Sequence, residues 1–574
     1  MTVATHGGDA RVAAAPRDGR RWLTASAVVA ALTLAPVAGL VGLALRGSGD
    51  LWPHLIATVL PRALIESATL LAGVGAVVAV VGVGTAWIVS AYRFPGRAMF
   101  DWALLLPLAI PTYIAAFAYL DILHPIGPVQ TALRSALGVQ NPRDLWFPEI
   151  RSMGGCVFLL GSVLYPYVYL TARSMFLMQS ATVLEVARTL GAGGLRTFFV
   201  VALPLARPAI AVGVSLALME ALNDIGAAEF LGVRTLTVSI YTTWVNRSSV
   251  EGAAQIALAM LAIVVLLVAL ERWARRRQTV SSGARGVRGA ARRTPGALGQ
   301  AACVIACALP ILAGFVAPFA YLLREAWRRI AEFGLPPQIL QETLNTVLFA
   351  SVATVIAVTL GFVVAYAVRI GRGGPARFTL RAASVGYAMP GTVLAVGLLT
   401  PLAAFDNMLD GAAREFLGVS TGLLLSGSGA ALIYAYVVRF LAIPAGGVEA
   451  GLAKIPTTLD HAARNLGERP GGVVRRIHVP LAGPALGAAA LLVFVDCMKE
   501  LSATLLLRPF NFETLATHVY AEASRGTYES GAVAAIAIVL TGLAPVVLVA
   551  RASARRWTSS HAADDAPVEA ITRP

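Results

Sequence analysis

Six polar residues lie inside two apolar segments, where ionisable side chains could act on a charged solute. They form two trios with i, i+3, i+4 spacing, set 276 residues apart: Glu220, Asn223 and Asp224, then Asp496, Lys499 and Glu500. This spacing puts each trio on one helix face, and we call the six residues the charged stripe. Charges at the centre of a membrane helix cost roughly 2.5–3.5 kcal/mol each, so they usually face a bundle interior or water. Two interpretations stay open: acids that attract a cation, or groups that pair and hold two halves of the molecule together.

Lys499 is the one basic residue of the charged stripe, and an unpaired ammonium group deep in a helix bundle is costly. We therefore expect it to pair with an acid. Asp496 and Glu500 on its own helix are candidates, and the favoured partners are Glu220 or Asp224 from the other trio. No constellation of His, Cys or Met side chains accompanies the stripe, so the sequence predicts no tight metal site.

Long apolar segments must position these residues. The chain has 574 residues, of which 57% are hydrophobic and 13% charged, too little polar material to cover a set of soluble domains. The composition indicates an all-α polytopic membrane protein. About twelve stretches reach the roughly 20 apolar residues that cross a bilayer. They fall at about residues 24–45, 64–92, 99–122, 153–175, 208–231, 253–270, 298–323, 346–368, 382–404, 422–444, 484–507 and 531–550.

The placement of arginine predicts the orientation of these spans. Lys and Arg concentrate in the loops of one side when both termini are taken as cytoplasmic, as the positive-inside rule requires. The net charge of +15 then faces anionic lipid at the membrane surface, and no nucleic acid partner is expected. The sequence predicts a multi-pass protein of the cytoplasmic membrane with both termini in the cytoplasm.

The chain is a tandem duplication. Residues 183–210 align with residues 459–486 under a shift of 276, and residues 110–116 align with 389–395 under a shift of 279. Each copy holds six spans and therefore begins and ends on the same side of the membrane. The two repeats are parallel, unlike the inverted repeats of many secondary transporters.

Composition predicts five consecutive parts. Two six-span domains occupy residues 23–271 and 298–551, and an Arg-rich cytoplasmic linker with eight arginines joins them at 272–297. The tails at 1–22 and 552–574 are polar or Ala, Gly and Arg rich without periodicity, so we expect disordered cytoplasmic segments there.

Each copy of the repeated loop predicts a short amphipathic helix that ends at a glycine. Apolar residues recur at helical spacing, and Gly191 or Gly467 then tolerates the positive φ that ends a helix. Such a helix could lie on the bilayer surface, but the shared Gly and Pro spacing favours docking into a protein groove at a fixed angle. The residues expected to dock are Val183, Glu185, Val186, Ala187, Leu190, Gly191, Leu203 and Pro204 in the first copy, and Leu459, His461, Ala462, Ala463, Leu466, Gly467, Val479 and Pro480 in the second.

The two loops resemble a known motif. EVARTLG followed by LP, and HAARNLG followed by VP, are similar to the EAA loop of permease subunits in binding-protein-dependent ABC importers. The strings PYVYL, ALNDIGAAEFLGV, YVVRFLA and MKELSATLLLRPF resemble the fused, two-copy permeases of ferric iron importers. The resemblance implies the type I importer permease fold. It also implies docking on two cytoplasmic ABC ATPase subunits and delivery of substrate by an extracytoplasmic binding protein.

Two positions depart from the family pattern. His461 stands where the motif usually carries a glutamate, as Glu185 does in the first copy, and Ser502 stands where iron permeases often have a proline. The chain has only two lysines, and neither lies in a GxxxxGK[ST] phosphate-binding loop. We expect no enzymatic activity and no bound cofactor, with ATP used by the partner subunits.

The resemblance predicts the transmembrane permease subunit of an ATP-driven importer, with ferric iron as the favoured substrate. The same machinery for thiamine, a polyamine or a phosphonate is the alternative within this class. A secondary transporter that works without an ATPase is the alternative from another class.

Overall fold

The fold is all-α, as predicted. The computed structural model describes residues 17–178, 193–275, 292–371 and 373–562. Within these ranges the only β pairing is an isolated bridge between Tyr92 and Arg293.

Twenty-five α-helices are numbered here in chain order. Those before residue 292 are α1 (Arg17–Arg46), α2 (Leu51–His54), α3 (Leu60–Ala91), α4 (Arg97–Ala103), α5 (Thr112–Ile122), α6 (Pro128–Leu137), α7 (Met153–Met178), α8 (Gly194–Thr197), α9 (Leu203–Asn223), α10 (Gly226–Phe230), α11 (Leu236–Val245) and α12 (Val250–Arg275). Those after it are α13 (Ala297–Ile311), α14 (Ala317–Phe333), α15 (Ile339–Gly371), α16 (Gly374–Ala383), α17 (Gly391–Leu417), α18 (Ala430–Phe440), α19 (Ala442–Ala453), α20 (Thr457–Asn465), α21 (Pro470–Val473), α22 (Val479–Met498), α23 (Thr504–Leu507), α24 (Leu515–Arg525) and α25 (Tyr528–Ala562). These counts refer to the described residues.

The number of membrane spans agrees with the expectation of about twelve. Ten helical segments of the described chain are long and apolar enough to cross a membrane, and two bent helix pairs bring the number to twelve if each counts as one span. The first pair, Arg97–Ala109 with Thr112–Ile122, bends by 91°, and the second, Ala430–Phe440 with Ala442–Ala453, bends by 44°. The predicted span at 99–122 is therefore a sharply broken segment. Proline explains the break, because Pro111 cannot donate a helical hydrogen bond and disfavours helical φ/ψ in the residue before it.

The chain divides into two compact units. Of the described residues, the smaller unit contains those within the ranges 17–35, 351–387 and 436–494, and the larger unit contains the others. In the smaller unit a core forms around Tyr366, Val448, Leu452, Ile455 and Ala482. These units are discontinuous in sequence and differ in kind from the consecutive domains expected from composition, whose boundaries stay a prediction.

In the larger unit, α3, α7 and α9 pack against one another through glycines. A Cβ on Gly82 would lie 2.7 Å from the Val168 Cβ, and one on Gly213 would lie 2.7 Å from the Val168 Cα. Small residues let membrane helices approach closely, because dispersion contacts rather than hydrophobic burial hold them together in lipid.

In the described part of the chain, four wide, π-helical turns precede prolines. They span Leu55–Val59, Phe198–Ala202, Leu312–Val316 and Val474–His478. In each case a proline stands at the second residue of the helix that follows. Its ring would clash with the carbonyl four residues back, and a wider turn relieves that clash. The second and fourth turns match under the shift of 276.

The match at 110–116 and 389–395 is also structural. A 3₁₀ turn, Leu106–Ala109 in the first copy and Val385–Ala388 in the second, comes before a proline that serves as the N-cap of the next helix. The 3₁₀ turn and the proline N-cap that lead into α5 are thus repeated before α17, and both helices begin at the same repeat position.

Helices extend into the segments expected to be disordered. α1 begins at Arg17, within the predicted tail, and α25 continues to Ala562. Ala and Arg have high helix propensity, so a span continues into such sequence without further stabilisation. Of the predicted linker, Arg293 is held to the end of α3, because its amide donates to Ala91 O at 2.9 Å and its carbonyl accepts from Arg93 N at 2.7 Å.

We predict that the contact between α1 and α17 tolerates no larger side chain. A Cβ on Gly397 would overlap the Pro36 carbonyl, and one on Gly39 would overlap the Gly397 carbonyl. Gly397→Ala should cost about 1–3 kcal/mol through overpacking and lower the thermal midpoint of the purified protein.

Gly42→Ala is the matched control, because nothing lies within 4 Å of its added Cβ. It should leave stability unchanged or raise it by up to about 1 kcal/mol through helix propensity. Equal midpoints for the two variants would contradict the close contact.

Candidate functional site

The first part of the first repeated loop, residues 183–192, lies outside the described residues. Six of its predicted docking residues fall there: Val183, Glu185, Val186, Ala187, Leu190 and Gly191. Leu203 and Pro204 are described and form the start of α9, directly after a π-helical turn.

The second loop forms the short amphipathic helix that its sequence predicts. α20 turns Leu459, His461, Ala462 and Leu466 outward, with Leu466 86% exposed, and it buries Ala463. An exposed apolar face on a nine-residue helix is unusual for a surface element and is suited to a partner's groove. Val479 and Pro480 begin α22 after the π-helical turn.

Gly467 ends this helix as expected. Its φ is +83°, a value that L-residues rarely adopt, and its amide donates to Arg464 O at 3.0 Å. No atom lies within 4 Å of a Cβ built on it. The requirement for glycine here is therefore conformational and not a matter of space.

A partly buried ionic cluster that the sequence did not reveal holds α20 in place. Asp460 accepts two hydrogen bonds from Arg369 Nη2, at 3.0 and 3.1 Å, and lies 2.7 Å from His478 Nε2. A carboxylate can only accept, so the His478 Nε2 must carry the proton. Arg369 Nη1 also donates to Leu452 O at 2.5 Å, which joins the end of α19 to the same cluster.

Charge and burial both act on Asp460. Burial raises the pKa of its carboxyl, but the hydrogen bond from His478 and the Arg369 guanidinium outweigh that effect and hold the pKa below its usual value. His478 is 1% exposed and its ring packs 5.4 Å from the ring of Tyr366. The cluster is thus built into the core of the smaller unit.

The first copy lacks the residues of this cluster. Leu184 stands at the position of Asp460, Ala202 at that of His478, and Ser90 at that of Arg369 under the shift of 279. No periodicity in the sequence links residues 369, 460 and 478, because the cluster arises from tertiary packing. The only available signal was that the charged Asp460 falls on the otherwise inward side of α20.

Two acids of the charged stripe have matching structural roles. Asp224 Oδ1 accepts from Ala227 N at 2.7 Å, and Glu500 Oε1 accepts from Ala503 N at 2.9 Å. The residues correspond under the shift of 276, and both acids are at least nine-tenths buried. Each carboxylate satisfies backbone donors just after a long helix ends inside the bundle, which the bilayer could not do.

Polar contacts continue from these acids to the start of α5 and α17. Asp224 also accepts from the Thr112 hydroxyl. Asn223 Oδ1 accepts from Gly391 N at 2.7 Å, and its carbonyl accepts from Ser502 Oγ at 3.0 Å. The serine that departs from the family pattern therefore supplies a hydrogen bond between the two copies that proline could not.

Lys499 pairs within its own helix. Its Nζ lies 2.8 Å from Asp496 Oδ1, and both side chains are half-buried. The favoured pairing with Asp224 is wrong, because Asp224 is occupied by Thr112 and Ala227. At i, i+3 spacing the lysine reaches its helical neighbour without crossing the bundle. Glu220 is also half-buried.

Two buried hydroxyl groups stand at matching positions beside this cluster. Tyr113 and Thr392 are the second residues of α5 and α17, and in the described part of the chain neither hydroxyl has a hydrogen-bond partner. Within the same ranges no group of three or more His, Cys, Asp or Glu could hold a metal ion.

Comparison with known proteins places this architecture among transport proteins. Residues 79–280 match the family described as the binding-protein-dependent transport system inner membrane component. An Fe(3+)-transport system permease protein of Haemophilus influenzae is 22% identical over 501 residues, which cover 85% of this chain and 90% of that protein. A probable ABC transporter permease protein of Sinorhizobium fredii is 25% identical over 84% of this chain and 86% of its own length. A molybdenum transport system permease protein of Escherichia coli is 27% identical over 33% of this chain and 83% of its own length.

We predict that Asp460→Asn loosens α20. Loss of a charge-assisted hydrogen-bond network costs about 1.5–3 kcal/mol, so backbone amides of residues 457–467 should exchange with solvent roughly 10- to 150-fold faster by hydrogen–deuterium exchange mass spectrometry. His461→Ala is the matched control on the exposed face and should leave exchange unchanged.

A double-mutant cycle of Asp460→Asn with His478→Gln tests the contact itself. Because both variants remove the same interaction, their effects should be less than additive. Wild-type exchange in Asp460→Asn, or strict additivity in the cycle, would contradict the role of the cluster.

Proposed function

We propose that this chain, a membrane permease subunit of a binding-protein-dependent ABC importer whose residues 79–280 belong to the inner membrane component family of such systems, carries ferric iron across the cytoplasmic membrane. The similarity to the Haemophilus influenzae iron permease over both copies supports this substrate. Similarity to the Escherichia coli molybdenum permease extends over only one copy and suggests an oxyanion as the competing cargo.

The net negative charge of the charged stripe favours a cation as the transported substrate. Four acids stand against one lysine, and that lysine is already paired with Asp496. Glu220 and Asp496 are half-buried, whereas Asp224 and Glu500 are at least nine-tenths buried and accept backbone donors after a helix end. Glu220 and Asp496 are the acids that a passing cation would meet.

Helix ends argue against an oxyanion. Transporters of anions often direct free helix N-termini at the substrate. In this chain the start of α5 is tied to Asp224 through Thr112, and the first amide of α17 donates to Asn223. An oxyanion would meet the buried Asp224 carboxylate there, which would repel it more than a cation.

On this proposal, separate ATPase subunits supply the energy for transport. α20 docks by its exposed apolar face, Leu459, Ala462 and Leu466, into a groove of a cytoplasmic ATPase, and the first loop docks into the second subunit of an ATPase pair. An extracytoplasmic binding protein delivers the iron. The Asp460 cluster transmits movement of α20 to α15 and to the start of α22.

Uptake measurements test the substrate. In proteoliposomes that contain the permease with its ATPase, and the binding protein outside the vesicle membrane, radioactive ferric iron should accumulate only with ATP. A hundred-fold excess of molybdate or sulfate should not compete. Competition by either oxyanion, with no iron accumulation, would overturn the assignment to iron.

We predict that Glu220→Gln lowers the rate of iron uptake by roughly ten-fold, because one opposing charge contributes about 1.4 kcal/mol to a cation in a partly screened site. Glu149→Gln is the control, since Glu149 is an exposed loop acid away from the stripe. Thermal midpoints of both variants should equal that of the wild type. Undiminished uptake by Glu220→Gln would show that the stripe does not act on the cargo.

We also predict that Gly467→Val uncouples transport, whereas Gly467→Asn largely preserves it. Asparagine adopts positive φ at low cost, but valine there costs roughly 1–2 kcal/mol and should tilt or fray the end of α20. The readout is stimulation of ATPase activity by the iron-loaded binding protein. Because no atom crowds this position, equal stimulation by the valine and asparagine variants would contradict docking through a glycine-terminated helix.

A further inference from the structure

Two cavities in the larger unit occupy matching places in the two copies. Ser67 Oγ accepts from Leu236 N at 2.9 Å beside the first, and Thr346 Oγ1 accepts from Leu515 N at 2.9 Å beside the second. All four residues correspond under the shift of 279. The N-caps of α11 and α24, Thr235 and Thr514, correspond as well. One scaffold is therefore built twice, which makes differences in its lining informative.

The first cavity is basic. It measures about 660 Å³, and three arginines line it against one acid, Glu229. Glu229 accepts from Tyr520 Oη at 2.5 Å, and Arg62 pairs with Glu66 at 2.8 Å. Arg234 and Arg247 are exposed and form no ion pair within the described ranges. Two cationic side chains are thus available to a partner.

The second cavity holds more acid than the first. It measures about 330 Å³, and three glutamates line it together with two arginines and His518. Glu513 pairs with Arg508 and Glu522 with Arg525, so Glu342 is the glutamate of this lining without an arginine partner in the described residues. Glu342 is 5% exposed and shares Oε1 with His518 Nδ1 at 2.9 Å. Its Oε2 atom and the His518 Nε2 atom have no partner within the part of the chain that the structure describes. A buried carboxylate oxygen without a hydrogen bond is costly, and a donor from outside would satisfy it.

The inversion of charge occurs at matched positions. Arg234 of the first cavity corresponds to Glu513 of the second, and Ala63 corresponds to Glu342. On the predicted topology, the loops that build both cavities lie outside the cytoplasm. Two cavities at matching positions that differ in size and in charge suit a single bilobed protein better than two copies of the same ligand.

We propose that the two cavities fix the orientation of the extracytoplasmic binding protein, with acidic side chains of one lobe seated over Arg234 and Arg247 and a Lys or Arg of the other lobe inserted toward Glu342. This inference rests on the proposed function, because it requires such a partner. Complementary charges steer association and exclude the reversed docking, where like charges would face each other. A fused permease permits this difference in charge between its two cavities, because its two halves diverge independently in sequence.

Charge reversal tests the proposal. The probe is the purified binding protein, loaded with ferric iron, that supports uptake by the wild-type complex in proteoliposomes. Arg234→Glu with Arg247→Glu should raise the concentration of binding protein for half-maximal uptake at least ten-fold at low ionic strength. The shift should shrink in high salt, since exposed charges are screened, and the maximal rate should stay the same.

Neutralising the second cavity should act in the same direction. Glu342→Gln keeps the shape of the side chain and should also raise the half-maximal concentration. Arg143→Glu and Glu332→Gln are matched controls, because both positions are exposed and outside the cavities, and they should shift it less than two-fold. If Glu342→Gln lowers the thermal midpoint, the arginine pair, which is exposed, still decides the question.

Cross-linking tests orientation directly. In a Cys303→Ser background, Arg247→Cys and Gln338→Cys should each cross-link to a cysteine on one lobe of the binding protein only, and the two should select opposite lobes. Capture of both lobes by each position, or charge variants that behave like the controls, would overturn the proposal. Absence of binding-protein-dependent uptake by the wild type would instead contradict the proposed function, so the two failures are distinguishable.

Discussion

Backbone donors exposed where a helix breaks inside a bilayer must find partners within the protein, because hydrocarbon supplies none. Two buried carboxylates meet this constraint here. Asp224 and Glu500 each accept amide hydrogens three residues ahead, at the same repeat position in both copies. The contacts of Asn223 and Ser502 depend on this arrangement, since they form on the backbone that the carboxylates hold.

The constraint divides the charged stripe into two kinds of acid. A carboxylate that is nine-tenths buried and saturated by backbone donors has little attraction left for a passing ion. Glu220 and Asp496 are less buried, and Lys499 pairs with Asp496 at 2.8 Å. On the proposed function, a weak, partly neutralised stripe suits a permease, because a cation that bound tightly would not leave.

The sequence was informative where local rules decide. The shift of 276 predicted the matched stripe, the amphipathic α20 and the role of Gly467, because periodicity and the φ of glycine act over a few residues. Pro107 and Pro111 are sufficient to predict a helix break near residue 110. Hydropathy alone does not show this break, so the sequence analysis treated residues 99–122 as one span. The Asp460 cluster and the pairing of Lys499 depend on how helices pack, so spacing could not select among several possible partners. Six of the eight expected docking residues of the first loop lie outside the described residues, and the docking role of that loop stays a prediction.

Our central claim is that the Asp224 and Glu500 carboxylates accept hydrogen bonds from backbone amides just after a helix end, whereas Asp496 does not. Hydrogen–deuterium exchange of peptides covering residues 225–231 and 501–507 tests it most directly. In Asp224→Ala the first peptide, and in Glu500→Ala the second, should exchange at least ten-fold faster than in the wild type, since a backbone donor loses its buried acceptor at a cost of about 1–3 kcal/mol. Asp496→Ala should leave both peptides protected. Unchanged exchange in the first two variants, or equal acceleration in the third, would contradict the account.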